Sequence, residues 1–238
     1  MMYSLAIFLY MLAVIVVSPF HKKAGAIVRG HIDTFKILRE KIDRNARYVW
    51  FHAASLGEFE QGRPLIERFR REHPEYKILL TFFSPSGYEV RKNYEGADVI
   101  CYLPFDTPGN VMSFFRLVRP EMAFFIKYEF WLNYLNALHQ RAIPTYLVSA
   151  IFRPTQVHFK PWGSLWRDAL ECYNTIFVQD KASESLLKGV GYHRAIIAGD
   201  TRFDRVMQIA DQSRTLELVK AFKDDKPTFV AGSSWQPD

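Results

Sequence analysis

Seven short apolar runs recur between residues 47 and 198, separated by longer stretches of helical character. The runs are 48–51, 78–83, 99–103, 122–126, 145–148, 175–178 and 195–198. They are almost wholly apolar along their length, which suits strands covered on both faces, as in a parallel sheet. The stretches between them, among them 60–72, 86–94, 129–141 and 182–188, read as helices. This alternation predicts an α/β fold built on a Rossmann-like, doubly wound parallel sheet. Neither an internal repeat nor a low-complexity segment interrupts it.

Composition agrees. The chain has 238 residues, 49% of them hydrophobic and 24% charged, so it can bury a core and is not a disordered tail. Its net charge of +6 is unevenly spread. Between His21 and Arg44, seven cations (Lys22, Lys23, Arg29, Lys36, Arg39, Lys41, Arg44) face three carboxylates (Asp33, Glu40, Asp43). Such a stretch suits an anionic membrane surface or a solvated helix face. No nucleic-acid-binding motif accompanies it, so nucleic acid is not an expected partner. Cys101 and Cys172 belong to no metal-ligand or redox spacing and read as ordinary thiols.

Residues 1–20 carry no charged side chain, and the bases follow them at Lys22 and Lys23. About 20 such residues just cover a hydrocarbon core of ~30 Å. A secretory signal would place its bases before the apolar run, so an uncleaved membrane anchor is expected, with His21 onward in the cytoplasm. Val28, Ile32, Phe35, Leu38 and Ile42 then recur at helical spacing, predicting an amphipathic helix over 26–44. The expected organisation is an anchor at 1–20 and an α/β domain at 21–203. A helical linker at 204–226 and the truncated start of a second α/β domain at 227–238 complete it.

Four loops at strand ends carry candidate chemistry. Ser55 and Glu58 form a Ser-x-x-Glu pattern, which is a capping box. The same geometry holds a carboxylate at a helix N-terminus on the carboxyl edge of a strand, where it can take a proton from an acceptor hydroxyl. Gly57 between them lets a substrate approach closely. Lys127 and Glu129 follow the run 122–126 in the same way. After 145–148, Arg153, His158, Lys160 and Arg167 mix with Phe152, Phe159, Trp162 and Trp166. Such a loop either takes an anionic, partly apolar ligand or simply buries aromatics at a surface. After 195–198 comes Gly199-Asp200-Thr201-Arg202, either a capped turn or a cation meeting a phosphate or carboxylate.

Four stretches together resemble the 3-deoxy-D-manno-octulosonic acid (Kdo) transferase family. They are His52-Ala53-Ala54-Ser55-Leu56-Gly57-Glu58, Tyr128-Glu129-Phe130-Trp131-Leu132-Asn133, Gly199-Asp200-Thr201-Arg202-Phe203-Asp204 and Ala231-Gly232-Ser233-Ser234. The resemblance implies the N-terminal, acceptor-binding half of a GT-B glycosyltransferase of the inner membrane's cytoplasmic face. It implies inverting transfer of Kdo from CMP-Kdo to a tetra-acylated lipid A precursor (lipid IVA), without metal or cofactor. Glu58 falls on the family's general base and Glu129 on a second important carboxylate. Ser55, Gly57, Lys127, Arg153, Arg202, Gly232, Ser233 and Ser234 fall on substrate-binding positions. Asp200 and Arg202 stand where the family more often has asparagine and lysine, and Leu132 stands where it often has proline. A fragment ending at Asp238 is expected to be inactive, because donor contacts lie mainly in the second domain. Two other readings are a GT-B enzyme with a different nucleotide sugar and a non-catalytic, membrane-tethered α/β binding module.

Overall fold

The computed structural model describes residues 2–211, 217–223, 227–232 and 234. Contacts divide the chain into a large unit, Met1–Arg205, and a small one, Val206–Asp238.

The large unit is built on seven strands: β1 (Arg47–His52), β2 (Tyr76–Phe82), β3 (Val99–Tyr102), β4 (Pro120–Ile126), β5 (Thr145–Ala150), β6 (Thr175–Val178) and β7 (Ala195–Ile197). All pairings are parallel, in the order β3-β2-β1-β4-β5-β6-β7. Each run seen in the sequence is therefore a strand. Successive residues of β1 feed opposite faces, as the period of two requires. Tyr48 and Trp50 enter a core covered by α5 (Pro108–Leu117), α6 (Leu132–Gln140), α7 (Ser164–Glu171) and α8 (Lys181–Gly189). Val49 and Phe51 enter a core with Phe59 and Ile66 of α3 (Leu56–Glu72) and Phe82 of β2, flanked by α4 (Pro85–Arg91). Trp50 is fully buried, with the rings of Phe114, Phe125 and Tyr134 at 5.0–5.7 Å.

The chain direction across the sheet reverses between β1 and β4. In a doubly wound sheet this switch point opens a crevice at the carboxyl ends of the strands, where ligands bind.

At the N-terminus, α1 (Met2–Val17) is shorter than the expected span over 1–20, because Ser18-Pro19 breaks it before α2 (Lys22–Lys41). Its 16 residues reach about 24 Å. No single helix among the described residues is long and apolar enough to cross a membrane, and α1 with α2 passes only as a pair bent by 118°. The start and the middle of α1 contact the domain. Tyr3 Oη donates to Asp106 Oδ2 at 2.7 Å, Ser4 Oγ donates to Asn133 Oδ1 at 3.3 Å, and the Tyr10 ring meets Phe105 edge-on. Tyr3, Ser4, Ile7, Met11, Val14 and Ser18 form a partly covered stripe at three- and four-residue spacing, while Leu5, Phe8, Leu9, Leu12 and Val16 are exposed.

The amphipathic helix expected over 26–44 begins earlier, at Lys22, where the His21 ring caps the Ala24 N–H. Helices α5 and α7 have no counterpart in the sequence reading. In the small unit, α9 (Thr201–Asp211) runs in from the large one and α10 (Glu217–Lys223) follows. Residues 227–232, expected as a strand, are irregular, since an extended segment becomes a strand only by pairing and no described strand pairs with them. Gly232 and Ser234 lie in this unit, and Ser233 lies outside the described residues.

Candidate active site

The two carboxylates sit at the switch point, Glu58 after β1 and Glu129 after β4. The Ser55 backbone N–H donates to Glu58 Oε2 at 3.0 Å, the carboxylate half of the expected capping box. Glu58 is half-buried, and its second oxygen is not tied by that bond. Burial, and then the charge of Glu129, push its carboxyl above the ordinary glutamate range, against lowering by His52 and Lys127. Gly57 is exposed, and a Cβ built on it would meet no atom within 4 Å. The fold therefore does not require glycine there, and the space beside it is open.

Glu129 is held differently. It is buried, and Trp131 Nε1 and His52 Nε2, the latter at 3.1 Å, both reach its Oε2. His52 Nδ1 lies 2.8 Å from Thr81 Oγ1, which accepts from Trp50 Nε1 at 2.8 Å. One placement of protons satisfies this whole chain. Trp50 N–H donates to Thr81 Oγ1, Thr81 O–H to His52 Nδ1, and His52 Nε2–H to Glu129, which then needs only to accept. His52 is fully buried at the end of β1, so its partners lie on β2 and on the loop after β4, residues no local pattern connects. No pattern in the sequence singles out His52 by itself.

Helix α6 begins at Leu132, not at 129, and this frees Lys127–Trp131 as a loop in the cleft. The cause is Asp106, a fully buried residue that no motif in the sequence marks. Its two carboxylate oxygens accept from the Asn133 and Tyr134 N–H groups at 3.0 Å each, capping the helix there. Burial pushes its carboxyl up to about 6. Lys127 and Ser149, at the ends of neighbouring strands, both have left-handed backbone, φ 76° and 57°. Residues held so cost of order 1–3 kcal/mol each and cluster at functional sites.

The last loop also reaches this edge. Gly199 takes φ 79°, and Thr201 Oγ1 bonds Ser149 Oγ at 3.2 Å. Arg202 Nε holds Asp200 at 2.8 Å, and the charges of Arg153 and Arg202 both act on Tyr128. The charge of Lys127 acts on Glu58, while Arg153 and the Asp200-paired Arg202 lie near Tyr128 in the neighbouring loop. The aromatic loop divides: His158 is buried against Phe130 at 4.5 Å, and Arg167 bonds the Lys160 carbonyl at 2.8 Å, so both are structural. Arg153 and Trp162 remain exposed. Among the described residues no group of three His, Cys, Asp or Glu is arranged to hold a metal ion.

The family model described as "3-Deoxy-D-manno-octulosonic-acid transferase (kdotransferase)" matches residues 31–205, from mid-α2 through all seven strands. The chain belongs to the Kdo transferase family. Curated relatives include 3-deoxy-D-manno-octulosonic acid transferases from Haemophilus influenzae (27% identical, covering 78% of this chain and 44% of the relative) and Aquifex aeolicus (28%, 76% and 51%). The chain thus spans about half the length of the Kdo transferases it matches. Among solved structures, the UDP-GlcNAc 2-epimerase of Neisseria meningitidis superposes with a TM-score of 0.54 at 16% identity, covering 75% of this chain and 53% of that one. A Staphylococcus aureus MnaA–UDP complex gives 0.53 at 11%, covering 75% and 52%. These two likenesses concern the fold, a Rossmann-like sheet of the GT-B kind.

Proposed function

We propose that this chain is the acceptor-binding half of an enzyme that transfers Kdo from CMP-Kdo to a tetra-acylated lipid A precursor, with Glu58 as general base. The observation that carries the reading is the pairing of two carboxylates at the switch point, one held as a fixed acceptor and one with its carboxyl raised. An acceptor hydroxyl gives its proton to the Glu58 carboxylate while its oxygen attacks the anomeric carbon of Kdo. The bond from that carbon to the CMP phosphate oxygen breaks on the opposite side, which inverts the centre, and CMP leaves with the electron pair. Glu129, held by His52 and Trp131, raises the Glu58 carboxyl through its neighbouring charge. Lys127, Arg153 and Arg202 offer cations to the carboxylate and phosphates of donor and acceptor. Gly232, Ser233 and Ser234 belong to the start of the nucleotide-sugar domain, with 204–226 as the linker.

The test is transfer by the complete two-domain protein. With CMP-Kdo and lipid IVA, product should form, and exchanging the donor for a UDP-sugar should abolish it. Activity with the UDP-sugar alone would place the protein among other GT-B enzymes, and no transfer with any donor would favour a binding module. In the same assay Gly57→Ala should lower kcat/KM for the lipid at least tenfold, by filling the space above the helix start. Its stability should not fall, because Ala in a helix is favoured over Gly by roughly 0.5–1 kcal/mol. Unchanged transfer by Gly57→Ala would mean the acceptor does not pass over this turn.

We infer further that α1 associates with the inner membrane lying along the domain rather than spanning the bilayer. Tyr3 and Ser4 at one end and the α2 junction at the other hold it near the body, and its exposed apolar row faces away. Lys22, Lys23 and Arg29 follow at the level of anionic headgroups. Reversing these three charges to Glu should weaken binding to anionic vesicles in low salt by roughly 1 kcal/mol per charge, and less as salt rises. Equal binding at low salt would reduce these residues to a solvated helix face.

A further inference from the structure

A crevice of about 260 Å³ opens between α1, α2 and the loop after β3. Its walls are Met11 and Ile15 from α1, Val28, Ile32 and Phe35 from α2, and Phe105 from the loop. We propose that this crevice takes one acyl chain of the phosphate-bearing lipid acceptor. The proposal rests on the transferase reading above and names where the lipid part of that substrate lies.

Four observations support it. First, the crevice continues a lipid-facing row. Phe8, Leu12 and Ile15 follow one another at helical spacing along the exposed side of α1, and Ile15 is already a crevice wall. Second, charge complements a phosphate head. Arg39 lies one turn beyond Phe35 on the same stripe of α2, and Lys36 flanks it, both exposed. Third, the crevice shares a wall with the carboxylate site. His31 and Phe105, stacked at 4.2 Å, both meet the Phe83 ring, Phe83 packs on Trp131 at 4.6 Å, and Trp131 donates to Glu129. A lipid with its tail in the crevice is therefore linked through two rings, Phe83 and Trp131, to Glu129, whose charge acts on the proposed base.

The fourth observation is His31 itself, which lines the crevice and is 7% exposed. Neither ring nitrogen has a hydrogen-bond partner, and burial pushes its pKa down to about 3, so the ring is neutral. Buried polar atoms are almost always paired. An ester or hydroxyl oxygen at the top of an acyl chain supplies the acceptor or donor that this ring lacks. Water would do so too, but the walls around it are apolar.

Titration of the full chain with dihexanoyl and dioctanoyl phosphatidic acid, below their critical micelle concentrations, tests this directly. Saturable binding at one site is expected, tightening by about fourfold per methylene buried. Ile32→Trp, at an exposed rim position, and Val28→Trp should each fill the crevice and weaken binding more than tenfold. Leu5→Trp, on the outer side of α1, should not. Affinity that ignores chain length, or is equal in wild type and both crevice variants, would overturn the proposal. Circular dichroism of Ile32→Trp and Val28→Trp checks that the fold persists. No donor or turnover enters this measurement, so chain-selective binding stands even if Kdo transfer fails. Conversely, an unchanged acceptor KM for Ile32→Trp in the complete transferase removes the crevice and leaves the transferase reading intact.

Discussion

In the complete enzyme, Glu58→Gln is expected to lower Kdo transfer by about 10²–10⁴-fold with little change in melting temperature. The size of the effect separates the two jobs this residue can hold. As a cap its loss costs about 0.5–2 kcal/mol of stability and leaves turnover of the folded fraction nearly intact. Gln keeps a side-chain oxygen to accept from the Ser55 N–H, bonded at 3.0 Å in the wild type, but takes no proton from a hydroxyl. The pH dependence has a definite sign. The rate requires the carboxylate, so it should fall as pH drops through a midpoint above the ordinary glutamate range, since burial and the Glu129 charge raise this carboxyl. For stability the sign is opposite. A carboxyl with its folded pKa raised contributes stability below its unfolded value and loses it as pH rises through the folded one. Glu58→Gln should therefore gain on wild type in thermal melts as pH rises through that window. Near-normal transfer by Glu58→Gln would remove it as base and make Glu129 the next residue to substitute.

His52→Leu should destabilise the protein by about 3–5 kcal/mol, roughly 10 °C in Tm, and abolish transfer. The pair it breaks is buried, with side-chain exposures of 0% and 8% at 3.1 Å. Leu leaves Glu129 buried with Trp131 as its remaining side-chain donor, and it leaves the Thr81 hydroxyl only the longer contact to the Phe51 carbonyl at 3.5 Å. The cost thus comes from an uncompensated charge, not from lost volume. His52→Leu combined with Glu129→Met should accordingly recover much of the lost stability while transfer stays absent, because apolar replacement of a whole buried pair is often neutral. A single variant as stable as wild type, or a double variant no better than the single, would show that this pair is not what holds the turn after β4.

How much of this was readable in the chain differs from element to element. The strands were, because burial on both faces demands apolar residues at nearly every position, and that demand is local. The helix starts were readable only where the cap is local too: Ser55 with Glu58 lies within one turn. Helix α6 broke that rule, since its cap, Asp106, stands 27 residues before Asn133. The break at Ser18-Pro19 was visible in the sequence, yet the apolar segment before it read as a span. What was not visible is that this segment also bonds the domain, through Tyr3 and Asp106, residues 103 apart.

The sequence by itself determined the α/β alternation, the apolar N-terminus with its cations behind it, and the motifs that mark the family. Each depends on residue type at short spacing, which propensity, burial and capping translate directly into local structure. Only the tertiary structure decided which loops meet. The strand order puts β1 beside β4, so Glu58 and Glu129, 71 positions apart, come close enough at one sheet edge for their charges to interact, with His52 bonded to Glu129. It also decided that Glu129 is held and Glu58 is raised, because both follow from burial and from neighbours contributed by other strands. A carboxylate's chemistry depends on the dielectric and the donors around it, and these exist only once the sheet has closed over its helices.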